Sequence, residues 1–255
     1  MVLVRTFLIT VVLAFPAHAV NPCSNAAVMG PYGLHLSGVS TISGGPQPFA
    51  SMSRTTFDGD GHISGTSSVN FNGLLLGNPV TGTYSVNPDC TIAISLQDDS
   101  GAFQHFAGKL APSGSVVELR QTDAGTGGHG SMMHTSDRCT QADLRPSYDF
   151  SLSGMATPLA AADVPGSITT RGVLHIDGPA NFTLMQQFDG INVPTSGSWS
   201  LDADCTVQFD LALPVKGGKP AVTMKVRGLL VDQGLQIFAI QTNPATVALA
   251  RLKAN

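Results

Sequence analysis

The sequence predicts an all-β protein made of two tandem antiparallel domains of about eight strands each, every domain a small barrel or barrel-like sandwich. Three observations predict it. The segment Gly82-Thr83-Tyr84-Ser85-Val86-Asn87-Pro88-Asp89-Cys90-Thr91 returns as Gly197-Ser198-Trp199-Ser200-Leu201-Asp202-Ala203-Asp204-Cys205-Thr206, 115 residues later. Turn-forming residues are abundant, with 28 glycines and 16 prolines in 255 residues. Residues that favour exposed helix faces are scarce: only 12% of the chain is charged and Glu118 is its single glutamate, whereas Asp, Gly, Ser and Thr favour turns and strands.

The chain opens with a secretory signal at 1–19. Arg5 supplies the positive end, Phe7 to Phe15 the apolar core, and Ala17-His18-Ala19 a small-x-small cleavage site. That run is shorter than the ~20 residues a spanning helix needs, and no later segment is long and apolar enough to replace it. Cleavage after Ala19 makes the protein secreted or periplasmic and leaves two repeats, 20–137 and 138–255. In an exported chain the four cysteines read as two disulfides. Three pairings are possible. The near-equal spacings, Cys23 to Cys90 and Cys139 to Cys205, together with the duplication, favour one bridge inside each repeat.

The repeat continues on both sides of the doubled motif. Tyr32 to Gly38 matches Tyr148 to Gly154, Phe57-Asp58-Gly59 matches Ile176-Asp177-Gly178, and Phe71-Asn72-Gly73 matches Phe188-Asp189-Gly190. Asn-Gly and Asp-Gly pairs between alternating segments signal hairpins, because both central residues of a type I′ turn need positive φ. Further on, Gly108 to Asp123 matches Gly228 to Asn243. In the first repeat, strands are expected near 31–37, 49–57, 62–71, 81–86, 90–97, 103–110, 115–122 and 128–134. Alternation is plain in Thr91-Ile92-Ala93-Ile94-Ser95-Leu96. Eight strands joined by short turns make an up-and-down meander that can close into a barrel, which removes sheet edges; one two-sheet sandwich per repeat is the alternative. A single sixteen-stranded outer-membrane barrel would need aromatic girdles, and the chain has one Trp and three Tyr.

The pattern Phe57-Asp58-Gly59-x-Gly61-x-x-x-Gly65, then Asn72-Gly73, then Gly82-Thr83-Tyr84-x-Val86-x-x-Asp89-Cys90-Thr91, resembles a group of secreted bacterial proteins that look like small calycin-like or allene-oxide-cyclase-like β-barrels. The resemblance covers most of the first repeat and, more weakly, the second, where Trp199 and Leu201 replace Tyr and Val. It implies a barrel fold and carries no catalytic residue with it.

Candidate chemistry lies mainly in the first repeat, which holds His35, His62, His105, His129 and His134 against His175 in the second. The densest cluster is His129, Met132, Met133 and His134. Imidazole and thioether ligands together suit copper, yet strand alternation sets His129 and Met133 against Met132 and His134, and a final strand entering the linker explains the same residues. Asp58-Gly59-Asp60-Gly61 resembles the start of a calcium loop without its later carboxylates; a hairpin turn explains it. Glu118 and Arg120 share one strand face, where the second repeat has Phe238 and Ile240. Apolar residues there would face a core or the other repeat, and the charged pair would line a polar pocket in the first barrel or form a solvated ion pair. Tyr84 and Trp199, at one position of the two motifs, would floor a ligand cavity or pack the core.

No serine-nucleophile elbow, zinc-binding helix or phosphate loop occurs, and the net charge of −4 argues against a nucleic-acid partner. No cofactor and no membrane span are expected. The expected function is a non-enzymatic exported module holding a small apolar or amphipathic ligand. The alternatives are a surface-interaction protein with filled barrels and a cyclase-like enzyme using a barrel cavity. An enclosed cavity of ~300 Å³ or more would favour a ligand or an enzyme over filled barrels.

Overall fold

Sixteen strands close as two rings of eight in the computed structural model, which describes residues 23–41, 45–99, 101–158, 166–188, 191–213 and 222–255. The expected export signal at 1–19 and the Asp189-Gly190 turn lie outside the described residues. The first ring holds β1 (Met29–Thr41), β2 (Pro46–Asp58), β3 (His62–Phe71), β4 (Leu74–Val86), β5 (Thr91–Asp98), β6 (Phe103–Leu110), β7 (Val116–Gln121) and β8 (His129–His134). The second holds β9 (Ser147–Ala156), β10 (Ser167–Ile176), β11 (Asn181–Phe188), β12 (Ile191–Leu201), β13 (Thr206–Leu213), β14 (Val222–Val231), β15 (Gln236–Gln241) and β16 (Thr246–Ala254). Each strand pairs antiparallel with the next, and β8 returns to β1 as β16 does to β9. The barrel therefore prevails over the sandwich.

Local chemistry sets the turns. Asn72 and Gly73 both adopt positive φ, 48° and 91°, so Phe71 pairs directly with Leu74 across a two-residue turn. β4 accordingly starts at Leu74, seven residues before the expected strand. Gly77, Asn78 and Pro79 read as breakers, but over this stretch β4 is paired only with β3, and β5 joins at Val80. Pro79 thus sits on an edge stretch, where a missing N–H is tolerated.

The doubled motif folds alike in both copies. Cys90 N–H donates to Asn87 O at 2.9 Å and Cys205 N–H to Asp202 O at 3.0 Å, with φ of 68° and 70° at the two cysteines. Each is the left-handed last residue of a three-residue hairpin loop. Both expected bridges form, Cys23–Cys90 and Cys139–Cys205. In the first repeat the bridge pins the lead segment across one end of the barrel. There the Tyr84 hydroxyl donates to Val28 O at 2.8 Å, and Asn25 Oδ1 accepts from Val86 N–H at 2.8 Å. Tyr32, Phe57 and Tyr84 stack edge-to-face beside them, with centroids 5.1 and 4.9 Å apart. This end is filled.

The barrels dock through their outer faces, the first with the early strands β1, β2 and β3, the second with the late strands β14, β15 and β16. Ala50 and Met52, outward on β2, belong to the second barrel's apolar cluster. Gly33 permits a close approach: a Cβ there would lie 2.7 Å from Val231 Cγ1. Buried polar groups lock the register. Asn70 Nδ2 donates to Gln241 O and Thr246 O, each at 2.9 Å, and Thr135 Oγ1 to Leu230 O at 2.6 Å.

Candidate functional site

Two concave regions carry the candidate residues: the open mouth of the first barrel and a groove outside it, between the barrels. The mouth is built by strand alternation, which turns every second residue inward. Three inward rows cross β2, β3 and β4 in register: Phe49, Phe71 and Leu74; then Ser51, Val69 and Leu76; then Ser53, Ser67 and Asn78. The outer rows are apolar except for the buried Ser51, and partly in water; Leu74 is 61% and Leu76 38% exposed. The deepest is polar, and Ser53 Oγ donates to Ser67 Oγ at 3.0 Å. All of these residues except Leu74 and Leu76 border a cavity of about 120 Å³, closed on the other side by Leu36, Leu96, Asp98, Gln104 and Gln121. It is smaller than the ~300 Å³ of an ordinary small-molecule pocket.

The groove measures about 600 Å³ and is lined from both barrels. β7 contributes Glu118 and Arg120, β8 His129 and Ser131, β1 His35 and Ser37, and β16 Leu249 and Arg251. Arg120 Nη2 is paired with the Glu118 carboxylate, both side chains largely in water. The Arg251 guanidinium is half-buried, its carbon 5.2 Å from the Phe238 ring centroid, and its Nη2 reaches Ser131 Oγ at 3.4 Å. Burial lowers its pKa. His35 is fully buried beneath the groove. Its Nε2–H donates to Ala239 O at 2.9 Å, and burial, opposed by that bond and aided by the Arg251 charge, pushes its pKa down to about 3. His35 is therefore a neutral donor at physiological pH.

The structure places several sequence candidates differently from expectation. Glu118 and Arg120 do share a face, but it is the outer one, so they border the inter-barrel groove and not a pocket inside the first barrel. Their counterparts Phe238 and Ile240 are fully buried, Phe238 against His35 of the other repeat. The proposed metal ligands do not converge. Met132 is buried in the first barrel's core and His134 packs on Tyr32, whereas Met133 packs against the second barrel's cluster and His129 is exposed. His129 and Met133, on one face, are four strand residues apart, roughly 13 Å, too far to share an ion.

Tyr84 and Trp199 are buried, 5% and 6% exposed, each with its polar atom on a main-chain carbonyl: Tyr84 on Val28 and Trp199 Nε1 on Asn181 at 3.0 Å. They pack the barrel interiors and border neither the mouth nor the groove. In the calcium-like motif, Asp58 Oδ1 accepts from the N–H groups of Asp60, Gly61 and His62 at 2.7, 2.9 and 2.9 Å, which closes a turn. Sequence reasoning missed the mouth serines and Arg251. The serines read as ordinary solvent-facing alternation, and Arg251 has no partner nearby in sequence. No protein-family model matches the chain, and no curated protein matches it in sequence. Among the described residues no helix is long and apolar enough to cross a membrane.

Proposed function

We propose that this is an exported, non-enzymatic binding protein of the calycin-like kind that takes a small amphipathic ligand at the mouth of its first barrel. The observation that carries the reading is the graded lining of that mouth. Phe49, Val69 and Phe71 form a mainly apolar lip, with Ser51 among them, above the polar row Ser53, Ser67 and Asn78, and Leu74 and Leu76 extend the same strand face beyond the cavity into water. A polar end that can donate a hydrogen bond fits the floor, because the hydroxyls and the amide both donate and accept and the Asp98 carboxylate, on the same lining, accepts. A cavity of about 120 Å³ holds only that end, and the apolar remainder lies along the lip, covering leucines that otherwise face water. Two disulfides and the signal-like start of the chain fit an oxidising, extracytoplasmic site of action.

The test uses Nile red, a neutral amphipathic probe, titrated into the purified full chain. Saturable fluorescence enhancement is expected, with at least a tenfold loss in the double variant Leu74→Glu, Leu76→Glu. Both positions are exposed, so the fold does not depend on them. Mass spectrometry of protein purified without denaturant should show a co-purified small molecule that the same variant lacks. Unsaturable binding, or binding indifferent to the lip, would favour the filled-barrel, surface-interaction reading instead.

A further inference from the structure

We propose that the groove between the barrels is a second binding site, specific for an oxyanion group (a carboxylate, phosphate or sulfate) held by Arg251 and Arg120. It lies outside the first barrel, shares only Gln121 with the lining of the mouth, and does not depend on the mouth's function.

Arg251 supplies the first reason. A half-buried guanidinium normally has a carboxylate beside it, since a charge drawn from water without a counter-charge is costly. Among the described residues none lies within ion-pairing distance of Arg251, and its buried Nε has no hydrogen-bond partner. The Phe238 ring and the Ser131 hydroxyl are weak substitutes. An oxyanion in the groove would meet that need, and the planar guanidinium fork matches such groups bidentately.

The lining supplies the second. Arg120 borders the same groove, as does His129, and Glu118 is the one carboxylate among the lining residues. Glu118 already occupies Arg120 on the exposed rim; an incoming anion has to compete with it, so Glu118 sets the affinity of the site. The volume of about 600 Å³ accepts a small organic acid as readily as an inorganic ion.

Comparison of the repeats supplies the third. Tyr32 pairs with His134 and Tyr148 with Ala254, so Ser131 and Arg251 occupy the same position in the two copies. Glu118 and Arg120 likewise correspond to Phe238 and Ile240. At the charged positions of the groove the copies differ: charge stands on β16 of the second repeat and on β7 of the first, on the two sides of one groove.

Calorimetric titration with inorganic phosphate, sulfate, acetate and succinate, each against chloride at equal ionic strength, tests this. At least one oxyanion should saturate, and the preferred one identifies the group. Arg120→Gln should weaken binding about tenfold, the loss of one charged hydrogen-bonding partner. Arg251→Gln should weaken it at least as much. Glu118→Gln should tighten it several-fold by freeing Arg120, an effect that loss of structure would not produce. No saturation above chloride by any of the four, or equal affinity in wild type, Arg120→Gln and Glu118→Gln, would overturn the proposal. The two rim variants are at exposed positions, so they decide the matter even if Arg251→Gln fails to fold.

Discussion

The His35 imidazole of the first barrel lies flat on the Phe238 ring of the second, centroids 4.9 Å apart and planes 11° apart. With the bond from His35 Nε2 to Ala239 O, this stack sets an ionisable group at the centre of the barrel–barrel contact. Phe238 holds the place that Glu118 holds in the first repeat. One position of the repeat is thus solvent-facing in the first copy and part of the docking surface in the second.

Docking should weaken in mild acid. Unfolded His35 takes a proton near pH 6.5, whereas the folded group resists it until about 3. Between those values the unfolded chain binds more protons, so the contribution is complete above 6.5 and declines as pH falls towards 3. Asp58, drawn down to about 2 mainly by the His62 N–H, adds its own loss only below its ordinary 3.8. Urea midpoints should therefore drop between pH 6.5 and 4, and His35→Gln should flatten that slope.

Exchanging residues between the repeats should separate the barrels. Phe238→Glu and Gly33→Asp each install the other copy's residue, in a stack and at a near-contact with Val231 respectively. Losing the buried aromatic alone costs about 3–5 kcal/mol. Small-angle scattering should show a longer particle while circular dichroism retains the strand signal. An unchanged scattering profile for both variants would contradict this docking.

Asn70 is expected to be more sensitive to charge than to truncation. Its amide donates to Gln241 O and Thr246 O, and its Oδ1 accepts from Gly73 N–H at 3.0 Å. Asn70→Ala leaves two buried carbonyls unpaired, roughly 1–3 kcal/mol each. Asn70→Asp keeps the shape but turns a carboxylate towards those carbonyls, and thermal denaturation at pH 7 should rank it below the alanine variant.

Each disulfide should stabilise its own barrel. The bridges close segments with separations of 67 and 66 residues, worth about 4 kcal/mol apiece in the chain-entropy model. Paired serine variants, Cys23→Ser with Cys90→Ser and Cys139→Ser with Cys205→Ser, should each lower the unfolding midpoint. Non-reducing peptide maps should recover no bridge between repeats.

Much of the fold was legible because its signals are local. Asn72-Gly73 marks a two-residue turn by its own φ preferences, and Thr91 to Leu96 shows its inward face by alternation. The doubled motif located both cysteines at hairpin ends. Misreadings arose where a residue's meaning depends on what lies across the sheet. The strand expected at 81–86 starts at Leu74, because β5 pairs only from Val80 onward and leaves Pro79 on an edge, whereas the split of the His129 to His134 cluster followed from alternation. Glu118 and Arg120 were correctly assigned to one face. Which face, and what stood opposite, could not be read from spacing.

The sequence by itself determined two repeats, an all-β meander in each and the divergent positions, and it favoured one disulfide pairing of three, since these follow from short-range preferences and self-comparison. Only the tertiary structure decided that the sheets close, that the second repeat's late strands rest on the first repeat's early ones, and that Arg251 faces a groove with Arg120. Those outcomes join residues more than a hundred positions apart, and packing between surfaces, which no local pattern encodes, brings them together.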